Sequence, residues 1–472
     1  MKLVHTYADL GSTFSSHVQP QPLDTPELVS VNQDIVQLLS CADFSEEQLA
    51  QLCNGEMIPE GGQPVSMVYS GHQFGVYVPR LGDGRAILLG ETEGSDGVLY
   101  DLQLKGAGLT PYSRDGDGRA VLRSTIREYL CGEALHSLGI PTTRALCLIN
   151  SNTPVYREQV ETGAALLRVS ESHIRFGTFE YFSHTRQLDA LSQLVDYVVE
   201  RHFPEWTDAD DKAANLLSEA TRRTAEMVAQ WQAVGWCHGV MNSDNMSILG
   251  HTIDYGPFGF IDGFNAVHIC NHSDWHGRYA FNRQPDIGYW NCSALASALL
   301  PLLEGKEQAE DLIKQYPSFF SKKYASLLRA KFGLSSSKEG DSQLFDEVFQ
   351  LMHDERTDYT IFFRALGKPD LQDLFIDRDR FNSWSNKYEK RIAQEPSSLD
   401  EIIKSMSQVN PKYILRNHLL QIAINKAENG DYSEVNKLLK IIRQPFSEQP
   451  EFESYADSPP DWAGDLEVSC SS

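Results

Sequence analysis

The stretch His238–Gly256, "HGVMNSDNMSILGHTIDYG", decides how the rest of this chain is read. Phosphotransfer folds of the kinase kind carry a catalytic Asp two residues after a His, an Asn five residues further on, and an Asp-x-Gly roughly ten residues beyond that. Here Asn245 and Asp254-Tyr255-Gly256 stand at about those distances, but Val240 occupies the place of the Asp. Asn245 and Asp254 offer hard oxygen donors of the type that Mg²⁺ or Mn²⁺ takes. With position 240 apolar, Asp244 is the nearest carboxylate able to accept a hydroxyl proton.

Upstream, "LGDGRAILLGETEGSDGVLYDLQLKGAG" reads as a hairpin, with strands at Ala86–Leu89 and Leu99–Lys105 around a Gly/Asp/Ser turn. The alternation of Leu102 and Leu104 with Gln103 and Lys105 puts Lys105 on the face opposite the leucines. Apolar residues from Val121 to Leu138 follow at helical spacing and end at Gly139 and Pro141, which places Glu128 on a helix where it can hold Lys105. Gly82 and Gly84 permit close backbone approach to phosphate, with Arg85 beside them, and the phrase Gly-Asp-Gly-Arg-Ala recurs at Gly116 to supply Asp117 and Gly118. Arg168 and Arg175, in "LLRVSESHIRFG", add planar forks suited to phosphate oxygens. The run Arg119, Arg123, Arg127 reads as a solvated or salt-bridged helix face.

A strand is expected at Ala164–Val169, and most of the sequence after it is helical, with Gly430 breaking one helix and Ser433 able to cap the next. The expected fold is α+β and kinase-like: a β-rich N-lobe with one long helix, then a mainly helical C-lobe. The expected divisions are an N-terminal extension (1–60) packed on the core, an N-lobe (61–165), a C-lobe (166–445) and an extended acidic tail (446–472). A formal charge of −24 over 472 residues argues against nucleic acid or anionic membrane as partner. With no signal-like N-terminus and no long apolar run, the expected place is the cytoplasm, as a monomer. Eight Cys without a Cys-x-x-Cys make no zinc framework, and "HICNHSDWHG", with His268, Cys270, His272 and His276, matches no common zinc spacing.

These residues resemble the selenoprotein O family, the YdiU-type proteins of bacteria, through "VYSGHQFGVYVPRLGDGRAILLGE", "LKGAGLTPYSRDGDGRAVLRSTIRE", "HGVMNSDNMS", "DYGPFGF", "CNHSD", "GRYAF" and the terminal "LEVSCSS". The resemblance implies a kinase-like fold, once classed as a pseudokinase, that binds ATP in a flipped orientation. It would transfer AMP to Ser, Thr or Tyr hydroxyls of proteins, with Mg²⁺ or Mn²⁺, and in some bacterial members UMP from UTP. It assigns nucleotide contacts to Gly82, Gly84, Arg85, Lys105, Asp117, Gly118, Arg168, Arg175 and Asp254. Asp244 becomes the proton acceptor, Asn245 and Asp254 the metal ligands, and Glu128 the partner of Lys105. Animal members carry selenocysteine near the C-terminus where this chain has Cys470, and the resemblance suggests a disulfide between Cys270 and Cys470. A conventional kinase with a displaced base, or a non-catalytic ATP-binding scaffold, are the other readings.

Overall fold

A computed structural model describes residues 1–468. The chain is mixed α/β. Its strands β1 (Ser15–His17), β2 (Glu27–Val31), β3 (Val65–Met67), β4 (Gly71–Gln73), β5 (Val76–Val78), β6 (Ala86–Glu93), β7 (Leu99–Lys105), β8 (Ala120–Val121), β9 (Arg144–Tyr156) and β10 (Val160–Ser170) all lie in the first 170 residues. Eight of them form one sheet in the order β1-β3-β6-β7-β10-β9-β2, with β8 on β10, and every pairing is antiparallel. β4 and β5 form a separate hairpin. The first sixty residues are knitted into the sheet, because β1 and β2 are its two edges. β10 runs through the division expected between residues 165 and 166 and ends at Ser170.

Three helices cover this sheet: α1 (Gln33–Leu38) and α2 (Glu46–Asn54) on one face, α3 (Leu122–Ser137) on the other. Leu102, Leu104, Leu167 and Val169 point to the α1/α2 side and are fully buried there. Antiparallel register sets Arg168 opposite Gln103, so Arg168 and Lys105 share the face that α3 covers. α3 ends as its glycine suggests: Gly139 takes φ 75° and the Ile140 N–H returns to Leu135 O at 2.9 Å.

The rest is helical apart from two short strands. It comprises α4 (Phe176–His184), α5 (Leu188–His202), α6 (Lys212–Val234), β11 (Trp236–Cys237) paired with β12 (Gly259–Phe260), α7 (Gln284–Leu299), α8 (Lys306–Ile313), α9 (Tyr316–Lys331), α10 (Asp341–Glu355), α11 (Tyr359–Ala365), α12 (Arg378–Ile392), α13 (Leu399–Ser407), α14 (Asn417–Ala427) and α15 (Ser433–Ile442). α14 and α15 pack back on α3. α9 to α13 enclose a second, aromatic core around Phe332, Phe345, Phe362 and Trp384.

Three local expectations need correction. Ser433 is the first residue of α15 and not its cap; its N–H donates to the Asp431 carboxylate at 3.0 Å. The three arginines share no single environment. Arg119 lies before the helix, Arg123 pairs with Glu161 at 2.6 Å, and Arg127 is buried, donating to Phe258 O at 2.9 Å with its guanidinium 4.4 Å from the Phe258 ring. The segment after residue 445 is not simply extended: it makes short 3₁₀ turns at Pro450–Tyr455 and Asp461–Asp465 and lies on the helices. Lys412 holds Glu448 and Glu453 there, both at 2.6 Å.

Candidate active site

One cleft of about 570 Å³ gathers residues from distant parts of the chain. Its lining includes Gly82, Gly84, Arg85, Lys105, Asp117, Gly118, Arg168, Arg175, Val240, Asp244, Asn245 and Asp254. Glu128 lies behind this wall and organises it. Its carboxylate takes Lys105 Nζ on one oxygen and is gripped by Arg168, whose Nη2 donates to Oε2 at 3.1 Å. Arg168 also reaches Gln103 Oε1 at 3.0 Å and Asp254 Oδ1 at 2.9 Å. Asp254 in turn binds Arg175, which donates to Asp244 O at 2.7 Å. A continuous chain of charge therefore runs from the sheet to the metal-type loop.

Burial alone would neutralise these groups, and their pairing reverses that. Desolvation raises the Glu128 carboxyl, but Arg168 and Lys105 override it and hold the group at about 2. Desolvation also pulls the Lys105 ammonium down, and with Glu128 beside it the group settles at about 8. Asp254 is likewise penalised by burial, yet Arg175 and Arg168 hold it far below the ordinary carboxylate range. Asp244 differs. Burial pushes it up to about 7, and the Gln73 hydrogen bond, the Arg175 charge and a backbone N–H offset desolvation only in part.

The loop that presents these groups is fixed by its own side chains. His238 is buried, contacts Ile253 O through Nε2 at 3.0 Å and accepts the Val240 N–H at Nδ1 at 3.3 Å. Asn245 Nδ2 donates to Val240 O at 3.0 Å, so the apolar residue at position 240 is a backbone fixture of the loop. Asp254 sits at φ 55°, a left-handed conformation uncommon for a non-glycine residue and typical of held functional positions. The segment after β10 joins the loop: Phe176 N–H donates to Met246 O at 2.8 Å and Ile248 N–H to Ile174 O at 3.1 Å, which sets Arg175 against Asp244.

The glycine loops pack on each other. A Cβ at Gly82 would lie 2.4 Å from the Tyr112 ring, and one at Gly118, where φ is 70°, 2.1 Å from Gly108 O. Asp117 pairs with Arg157 at 2.8 Å, while Arg85 makes no ion pair among the described residues. Asn245 and Asp254 fit a divalent cation by donor chemistry. Both give hard oxygen, and the Asn245 carbonyl takes no hydrogen bond among the described residues. No cluster of three or more His, Cys, Asp or Glu suited to a metal occurs among the described residues, the His268–His276 stretch included.

Sequence reasoning missed Gln73, Asp83 and Tyr69. Gln73 Nε2 donates to Asp244 Oδ2 at 3.2 Å. Buried Asp83 accepts from Met67 N and Gln103 Nε2, each at 3.2 Å, and the Arg175 guanidinium stacks 4.4 Å from the Tyr69 ring. Tyr69 and Gln73 lie in the phrase "VYSGHQFG", which has no helical period, and Asp83 lies between the two glycines of "LGDGRA". Cys270 is a free thiol whose Sγ lies 3.6 Å from Cys237 O. Cys470 lies outside the described residues, although His272 N–H donates to Val468 O at 2.9 Å.

Residues 1–443 match the family described as "Protein adenylyltransferase SelO". Curated relatives are similar along nearly their whole length. The "Protein nucleotidyltransferase YdiU" of Herminiimonas arsenicoxydans is 50% identical, over 100% of this chain and 97% of the relative. That of Burkholderia multivorans (strain ATCC 17616 / 249) is 49% identical, over 99% of this chain and 95% of the relative.

Proposed function

The chain belongs to the SelO family of protein adenylyltransferases, and from that premise we propose that it transfers AMP from ATP to a Ser, Thr or Tyr hydroxyl of a protein on a kinase-like, two-lobed frame. The N-lobe is the sheet with α1 to α3, and the change of lobe follows Ser170. The observation that carries this reading is the distribution of charge in the cleft. Cations Lys105, Arg168 and Arg175 stand together with Glu128 and Asp254, while the Asp244 carboxylate makes no ion pair among the described residues and takes the Gln73 amide at 3.2 Å.

A triphosphate whose β and γ groups lie against Lys105, Arg168 and Arg175 turns its α-phosphate toward Asp244. The acceptor oxygen then forms a bond to the α-phosphorus as the bond to the β-bridging oxygen breaks. Asp244 takes the hydroxyl proton and pyrophosphate leaves with the bonding electron pair. Asp244 is suited to this because burial brings its affinity for a proton close to neutral pH. Val240 is then no defect, since the loop position opposite a γ-phosphate has no base to supply. Asn245 and Asp254 would hold Mg²⁺ or Mn²⁺, which when bound neutralises charge on the phosphate oxygens. UMP transfer from UTP with Mn²⁺ needs the same phosphate contacts and differs only at the base.

We also propose a Cys270–Cys470 disulfide, supported by the hydrogen bond from His272 N–H to Val468 O. Its test is non-reducing mobility of Cys270→Ala, which should lose the oxidised form. The test of the reaction itself is its second product: incubation with ATP, Mg²⁺ and a protein acceptor should release pyrophosphate, and release of ADP in its place would make the chain a kinase.

A further inference from the structure

In "HQFG" Gln73 serves Asp244, but Phe74 has no part in that chemistry and takes a distinctive form. β4 and β5 are joined by the two-residue turn Phe74–Gly75, with φ 50° and 84°. Asn-Gly is the common choice for such a turn, and phenylalanine in the left-handed region is strained. The strain is held from the catalytic loop itself. Phe74 N–H donates to Asn242 Oδ1 at 3.2 Å and to Tyr279 Oη at 3.0 Å, and His72 N–H donates to Ser243 Oγ at 2.7 Å. Yet the Phe74 side chain so fixed is 42% exposed and its neighbour Val76 is 69% exposed.

Phe74 forms part of the wall of two spaces. On one side is the cleft with Asp244; on the other is a groove of about 430 Å³ lined by Phe74, Ser273, Trp275, His276, Arg278 and Arg283, with Asp274, Asp286 and Ile287. Trp275 is 81% exposed with its ring 5.8 Å from that of His272, and with Phe74 it gives the groove two exposed aromatic side chains. In a chain of net charge −24 the groove is formally balanced, with two arginines and two aspartates in its wall. Arg278 and Arg283 make no ion pair among the described residues, and Arg278 lies 4.8 Å over the Trp290 ring. The Asp274 carboxylate is already used by the N–H groups of Arg278 (2.9 Å) and Tyr279 (2.7 Å), which leaves Asp286 as the acid at the rim among the described lining residues.

We propose that this groove receives the acceptor protein, as an extended segment with an apolar and an acidic side chain beside the hydroxyl to be modified. The proposal rests on the AMP-transfer reading and adds where the acceptor docks and what it looks like. The apolar side chain meets Trp275 and Phe74, and the acidic one meets Arg278 and Arg283. The hydroxyl passes the hairpin tip toward Gln73 and Asp244. Aromatic and arginine anchors at the edge of a cleft are the residue types that dominate protein recognition.

The test uses the full chain, α-labelled ATP and two short synthetic peptides. One has a single Ser flanked by Phe and two Asp; the other has Lys in place of the Asp residues. The wild type should label the Asp peptide with the lower KM. Trp275→Ala should raise that KM about tenfold, and Arg283→Glu should shift preference to the Lys peptide, both with ATP affinity and self-labelling unchanged. Unchanged KM values and preference in both variants would overturn the proposal, as would self-labelling with neither peptide labelled. Higher peptide labelling after removal of residues 469–472, with the Trp275→Ala effect abolished, would assign the groove to the chain's own end. If α-label enters neither peptide nor enzyme while ATP still binds, the AMP-transfer reading falls and the dock with it.

Discussion

Two lysines, both buried, live in opposite surroundings. Lys105 lies in the cleft against Glu128, with Arg168 completing the triad; Lys331 lies at the end of α9 in the aromatic core, 4.1 Å over the Phe363 ring and without a carboxylate partner among the described residues. Burial lowers both ammonium groups, Lys105 to about 8 with Glu128 pushing back and Lys331 to about 7 with nothing opposing. The cleft keeps its charges by pairing them, at a desolvation cost that only a function justifies. The aromatic core has no such chemistry: Phe332 stacks on Phe345 at 4.5 Å and Trp384 on Tyr388 at 5.3 Å. On the proposed reading the cleft serves the reaction and the aromatic core serves stability, so each should respond to mutation in its own measure.

The largest effect expected is on activity. Asp254→Ala should lower AMP transfer by about a thousandfold or more, through loss of an oxygen ligand and of the acid that aligns Arg168 and Arg175, with a fall in melting temperature as well, because the buried Arg175 loses its carboxylate partner. Full transfer at ordinary Mg²⁺ would take Asp254 out of the site. In the aromatic core Phe332→Ala should cost about 3–5 kcal/mol in denaturant unfolding and leave transfer per folded molecule unchanged. A loss of turnover without loss of stability would show that the two regions are coupled. Asp244→Asn should slow transfer about a hundredfold and leave ATP affinity within twofold, because a base acts chiefly in the transition state. A large loss of affinity would make it a binding residue.

The smallest effect sharpens the contrast between the lysines. The folded pKa of Lys331, about 7, lies below the ordinary 10.5, so between those values the unfolded chain holds a proton that the folded chain does not. Stability from this group is therefore greatest above pH 10.5, falls as pH drops toward 7 and is flat below. Lys331→Met should stabilise the protein by about 1–3 kcal/mol at neutral pH, with the gain fading as pH rises toward 10. A pH-independent gain would mean that the ammonium is not desolvated.

Much of the cleft was legible because local periodicity carries it. The alternation that buries Leu102 and Leu104 against α1 and α2 turns Lys105 toward α3. Helical spacing set Glu128 on α3, and the interval from Asn245 to Asp254 marked the loop. What stayed hidden depends on contacts between remote segments. Gln73 meets Asp244 across 171 positions, and no local pattern in a three-residue strand predicts that. Arg127 read as a surface residue because helical spacing from Arg123 ignores α14, whose Asn417 lies at 3.4 Å from it. The glycines of "LGDGRA" were expected to clear a path for phosphate; the Tyr112 ring that also requires Gly82 belongs to a loop with no regular period.

The central claim is that the α-phosphate, and not the γ-phosphate, faces the acceptor. Lys105, Asn245 and Asp254 serve a kinase equally well, so no mutation of these separates the two reactions. Parallel incubations with α-³²P-ATP and γ-³²P-ATP, Mg²⁺ and a protein acceptor do. Label retained on protein from α-³²P-ATP alone, with the mass gain of AMP on Ser, Thr or Tyr, is the predicted result; label retained from γ-³²P-ATP alone would contradict it.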